Sequence, residues 1–156
     1  FDNAIIRYGG RWFTNMLYRA AIVVNSTAVS FQGVTIEHSQ KHGLQVADAA
    51  TDISDSIFRN NTADNDSYGV IAEKGEIRGT IFDANKNGLN ILGGPFVIDS
   101  SSFTNHTGVA LSVSGATTTI MNTSFENNNL DIRANGSYSV TCGIGCNAST
   151  TSPNPL

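Results

Sequence analysis

Three regularities predict an all-β solenoid: a single-stranded right-handed parallel β-helix of about six coils, each of roughly 22 residues. First, pairs of apolar anchors five residues apart recur along the chain: Phe31 and Ile36, Ile53 and Phe58, Ile77 and Phe82, Ile98 and Phe103, Ile120 and Phe125. The second anchors follow one another at 22, 24, 21 and 22 residues. Second, Val34, Ser56, Thr80, Ser101 and Thr123 stand two positions before those anchors, and four of these five carry small hydroxyl groups. Third, an Asn-rich turn follows each anchor pair from Phe58 onward and leads into a Gly-apolar-x-apolar strand.

The elements are read in chain order. Ala4-Ile5-Ile6-Arg7-Tyr8-Gly9 and Ala21-Ile22-Val23-Val24 form a degenerate first coil. The later strands are Gly43-Leu44-Gln45-Val46, Gly69-Val70-Ile71-Ala72, Gly88-Leu89-Asn90-Ile91 and Gly108-Val109-Ala110-Leu111. A sixth, Asn129-Leu130-Asp131-Ile132, exchanges Gly for Asn, the other residue that tolerates positive φ. Alternation over four residues marks a strand with one buried face. Such short strands bury nothing alone, but coils whose strands pair in parallel about 4.8 Å apart stack into continuous apolar columns, and Asn at equivalent turns forms a hydrogen-bonded ladder. Leu is too scarce for a leucine-rich repeat, and a spacing of 21 to 24 residues breaks the hexapeptide period of a left-handed β-helix.

The coils are assigned to residues 1–133. Residues 134–149 read as an irregular C-terminal cap, and 150–156 as a Pro/Ser/Thr tail or linker. The sequence begins inside a coil, so the apolar end of the first coil is expected to need a cover. The expected partners are therefore other copies of the chain or flanking β-helix coils, joined through that end.

Charged residues are only 14% of the 156, and the net charge of −4 argues against nucleic acid, which needs a concentrated basic face. No segment approaches the ~18 consecutive apolar residues of a membrane span. The two cysteines, Cys142 and Cys146 in CGIGC, read as a small disulfide loop of an oxidising compartment, with free thiols or a metal site as the other readings.

The repeat apolar-x-x-[ST]-x-[FI]-x-N-N followed by Gly-apolar-x-apolar resembles the parallel β-helix repeats of the pectate-lyase-like superfamily. The opening Ala4–Gly10 is similar to an element of β-helical segments in large microbial surface proteins. This resemblance implies the fold and leaves the activity open, since lyases, hydrolases, epimerases, adhesins and tailspikes share it. Compared with pectate lyases, the outward row read on the Gly-apolar strands (Val23, Gln45, Ile71, Asn90, Ala110, Asp131) has one carboxylate and no base. Lys41-His42-Gly43 only partly matches the Gly-His-Gly element of polygalacturonases, and the Asp-Pro-His-Glu motif of mannuronan epimerases is missing.

Two turns before the Gly-apolar strand are expanded, and long loops on a rigid solenoid are where function concentrates. Gly10–Ala20 carries Arg11, Trp12, Tyr18 and Arg19, a sugar-stacking platform or an apolar cover for the flank. Thr62–Tyr68 carries Asp64, Asp66 and Tyr68, either half of a calcium loop or a plain Asx turn. Calcium is the only cofactor these residues bring into question. His38 and His106 extend the Asn ladder, and Arg59, Lys74, Glu76 and Arg78 read as a solvated cluster. Seven Asn-x-[ST] sequons, among them Asn60, Asn65 and Asn105, are what so Asn-rich a chain produces by chance.

The first functional expectation is a non-catalytic extracellular module, structural or adhesive, that assembles end to end or continues a longer solenoid. The second is a carbohydrate-binding module that takes polysaccharide through the expanded loops, and the third a polysaccharide lyase or hydrolase. No catalytic residue is assigned.

Overall fold

The computed structural model describes residues 2–9, 20–25, 28–115, 117–135 and 140–148, and the backbone of 151–153. Its strands fall into successive triplets. The first is β1 (Ile5–Arg7), β2 (Ala20–Asn25) and β3 (Ala28–Gln32); the second is β4 (Thr35–Glu37), β5 (His42–Ala47) and β6 (Ala50–Ser54). Next come β7 (Ile57–Arg59), β8 (Tyr68–Ala72) and β9 (Lys74–Arg78), then β10 (Ile81–Asp83), β11 (Asn87–Ile91) and β12 (Phe96–Asp99). The last triplets are β13 (Ser102–Thr104), β14 (Val109–Val113) and β15 (Thr118–Met121), then β16 (Ser124–Glu126), β17 (Leu130–Ala134) and β18 (Val140–Cys142), with β19 (Thr151–Pro153) beyond. Equivalent strands of successive coils pair in parallel, giving, among the described residues, three sheets of six, seven and six strands. From β1 to β16 the chain completes five turns, and β17 and β18 carry it round most of a sixth.

The anchors stack as their spacing requires. In the first sheet Ile6, Ile36, Phe58, Phe82, Phe103 and Phe125 form one column. The four Phe rings lie face to face, with centroids 5.4, 4.6 and 5.0 Å apart. In the third sheet Phe31, Ile53, Ile77, Ile98, Ile120 and Cys142 align. The second sheet contributes Ile22, Leu44, Val70, Leu89, Leu111 and Ile132.

One register differs from the sequence reading. Leu89 pairs with Leu111, not with Val109, so Ala110 and Asp131 take the place of Gly88 in their coils. A slip of two residues keeps the same face inward, so alternation alone does not distinguish the two registers. The register adopted buries both Leu111 and Val113 completely, which outweighs alignment of a single glycine.

Two corners are turned by single left-handed residues. Asn3, Gly33, Asp55, Gly79, Ser100, Asn122 and Gly145 form one such column; Tyr8, His38, Asn60, Ala84, Asn105 and Asn127 form the other. This explains the Asn and Gly enrichment, because these residues enter αL at least cost. Residues 143–148, read from sequence as part of an irregular cap, keep to the coil path. Gly145 continues a corner column, Asn122 N–H donates to Ile144 O, and Cys146 and Ala148 pack on the core. The segment read as a tail supplies β19, which pairs with β17.

Two buried ladders satisfy the corner amides. In the hydroxyl row, the N–H groups of Val34, Ser56, Thr80 and Ser101 donate to the side-chain oxygens of Ser56, Thr80, Ser101 and Thr123, one coil on. Each of these hydroxyls donates in turn to the carbonyl two residues before it. In the amide row, Asn61 Oδ1 accepts from Ser39 N–H, Asn85 Oδ1 from Asn61 N–H, and Asn128 Oδ1 from His106 N–H. The inner ladder is therefore Asn61, Asn85, His106 and Asn128, while Asn60 and Asn105 sit at the αL corner outside it.

Candidate functional site

The expanded turn at residues 62–68 is firmly held. Lys41, its side chain only 5% exposed, places Nζ 2.7 Å from Asp64 Oδ2 and 3.4 Å from Asp66 Oδ2. Asn87 Nδ2 donates to the carbonyls of Asn65 and Ser67, and Tyr68 N–H donates to His42 Nδ1 at 3.2 Å. Inside the turn, Asp64 N–H donates to Ser67 Oγ, and Ser67 N–H to Asp64 O. A hydrogen bond from the Lys41 ammonium holds the Asp64 carboxyl below its ordinary range, against partial desolvation. Both carboxylates of the calcium-like pattern thus converge on an ammonium group, a charge partner supplied by the neighbouring coil.

Beside this turn, the outward row of the second sheet is Val23, Gln45, Ile71, Asn90, Ser112 and Arg133. The shifted register therefore corrects the expected row: its last members are Ser112 and Arg133, not Ala110 and Asp131. The row holds a base and no carboxylate, and Asp131 is buried against Asn128 Nδ2 at 3.0 Å. Tyr68 holds its phenol within the electrostatic reach of Ser112 and Arg133. Burial pushes its phenol above the usual range, against the opposing effects of Arg133 and Ser112. Among the described residues, the buried Asn90 Oδ1 has no hydrogen-bond partner. The structure thus brings Asp64, Asp66 and Tyr68 together with Lys41, His42, Ser112 and Arg133. Arg11, Trp12, Tyr18 and Arg19 lie outside the described residues.

A second feature lies on the third sheet. A hollow of about 570 Å³ opens over Ala28, Val29, Ala50 and Gly75, with Ser30, Asp52 and Glu76 along one outward row. Small side chains at adjacent positions create it. Position-by-position reading missed the pairing of Asp52 with Glu76, because those residues are 24 apart in sequence; the coil period was the signal that could have found it. Among the described residues no group of three or more His, Cys, Asp or Glu is placed to hold a metal. Cys142 and Cys146 are disulfide-bonded, with Cα atoms 5.5 Å apart.

The profile of the right-handed beta helix region family matches residues 19–154. The parallel three-sheet solenoid with its ladders is the architecture this family describes, and the chain belongs to it. No curated protein and no solved structure gives a significant match.

Proposed function

We propose that this chain is a non-catalytic extracellular module, structural or adhesive, that continues a longer solenoid or assembles with further coils at its end. The observation carrying this reading is the first coil. Ile6, Ile22 and Val24 remain partly exposed, whereas their column neighbours Ile36, Leu44 and Val46 are buried to within 1%. Among the described residues, β1, β2 and β3 each pair on one side only, so a further coil would bury these side chains and complete three sheets at once. The disulfide supports an oxidising, extracellular setting. The test adds coils: fusing a consensus coil before residue 1 should raise the melting temperature by several degrees and protect the β1–β3 amides from exchange. An unchanged melting temperature and unchanged exchange would count against it.

Carbohydrate binding on the second-sheet flank is the second reading, favoured by Asn90 Oδ1, without a partner among the described residues, in the row that also carries Gln45, Ser112 and Arg133 near Tyr68. A glycan array that registers a polysaccharide, with the signal lost on Arg133→Ala, would promote it. A calcium ion at Asp64 and Asp66 would have to displace the Lys41 ammonium. Calcium titration followed by thermal unfolding tests that, and an unchanged melting temperature is the outcome expected.

A further inference from the structure

The outer face of the third sheet carries an exposed apolar tip at one end and opposite charges at its middle. One outward row runs Gln32, Ser54, Arg78, Asp99 and Met121. Ile144 continues this row, since its carbonyl accepts from Asn122 N–H as the Met121 carbonyl accepts from Ser100 N–H one coil earlier. At the C-terminal end the row protrudes: Ile144 is 89% exposed at the tip of the disulfide-closed loop, beside the partly exposed Met121. At the N-terminal end the same face is hollowed over Ala28 and Ala50. In the middle, Arg78 and Asp99 are register partners of opposite charge on adjacent coils.

We propose that this face is the contact between two copies of the chain, related by a two-fold axis that runs along the strands between β9 and β12. Such an axis reverses the order of coils and keeps each row opposite itself. It sets Arg78 of each copy against Asp99 of the other, and Met121 against Ser54. Ile144 comes over Gln32 at the β3 end of the same row. Every contact is made twice, so the assembly closes as a dimer and does not run on as a fibre. The charge pattern selects this arrangement, because sliding one copy by a single coil places Arg78 against Arg78 or Asp99 against Asp99. The exposed side chains of Ile144 and Met121 supply the apolar burial.

The face is small. Six coils at about 4.8 Å and strands of about five residues at roughly 3.3 Å give on the order of 500 Å² per copy. The total of about 1,000 Å² belongs with weak, transient contacts. Association is therefore read at high concentration, by sedimentation equilibrium of the intact disulfide-bonded chain up to several hundred micromolar, on the order expected for a small interface. A monomer–dimer equilibrium is expected. Ile144→Asp should weaken it at least tenfold, leaving the melting temperature unchanged because the side chain lies in solvent. Arg78→Asp and Asp99→Arg should each weaken it, and the double variant, which restores opposite charges across the axis, should recover most of the loss. A monomer throughout, a dimer indifferent to Ile144→Asp, or a double variant no better than the singles would overturn the proposal. An indifferent dimer would assign association to the coil ends, and a small-molecule ligand found in the hollow of a monomer would assign that feature to binding.

Discussion

Replacing His106 with asparagine is expected to stabilise the protein, by an amount that grows as the pH falls. At its ladder position an asparagine side chain both accepts and donates: Asn61 and Asn85 accept an amide of the preceding coil and donate to the carbonyls of Ile36 and Phe58. His106 accepts no such amide: its Nδ1–H donates to Asn85 O at 3.3 Å, and its buried Nε2 has no partner among the described residues. An asparagine here would take up the Asn85 N–H and reach the Phe82 carbonyl, adding two hydrogen bonds at about 1 kcal/mol each. It would also remove the orphaned ring nitrogen, worth a further ~1 kcal/mol or more. Against this, a void of roughly 40 Å³ costs about 1 kcal/mol. Loss of the Nδ1–Asn85 O bond costs about 1 kcal/mol more. The net gain near neutral pH is therefore about 1 kcal/mol, which for a chain of this size raises the melting temperature by roughly 2–4 °C.

Acid adds an independent signature. Burial depresses the folded-state pKa of His106 from 6.5 to about 4. The unfolded chain therefore binds this proton first as pH falls, and stability present above pH 6.5 is progressively lost toward pH 4. At pH 5 the loss is roughly 2 kcal/mol. Asparagine does not titrate, and every other group titrates alike in both proteins, so the gap between them should widen by about that amount between pH 7.5 and pH 5. Urea denaturation at the two pH values measures it. A constant gap, or a variant less stable than the parent at pH 7.5, would refute the account of the ladder.

Other positions test the same framework. Ala84 holds φ at 49° in a corner column otherwise occupied mostly by Asn, so Ala84→Asn should gain about 0.5–1 kcal/mol in denaturation. Thr80→Val removes the acceptor for the buried Ser56 N–H and should cost about 1–3 kcal/mol, whereas Thr80→Ser should be nearly neutral. Gly75 has φ at 134°, and a methyl group on its Cα would stand 1.9 Å from Thr51 O. Gly75→Ala should therefore cost roughly 3 kcal/mol or more and show as a large loss in melting temperature. Lys41→Met should release the 62–68 turn, read as faster hydrogen exchange at Ser67 and Tyr68. In the parent, the contribution of the Lys41–Asp64 pair is present above the ordinary carboxylate pKa of 3.8 and is lost as pH falls through the lowered folded value.

Much of this molecule was legible from its sequence by itself. The period of 21 to 24 residues, the anchor pairs and the hydroxyl row specify a parallel solenoid, because coil stacking is the arrangement that lets such short strands bury their apolar faces. The same spacing identifies Phe58, Phe82, Phe103 and Phe125 as one column without coordinates. Tertiary structure decided what repeat counting leaves degenerate. Two registers of β14 satisfy the same alternation, and only packing of Leu111 and Val113 selects the one that turns Ser112 and Arg133 outward. Of two adjacent asparagines in a turn, backbone φ sends Asn60 to the corner and Asn61 into the wall. The Lys41 ammonium between Asp64 and Asp66, and Ile144 and the Ala28–Ala50 hollow sharing one face, depend on distances between coils. A linear pattern does not contain those distances, because they are set only when each coil settles on its neighbour.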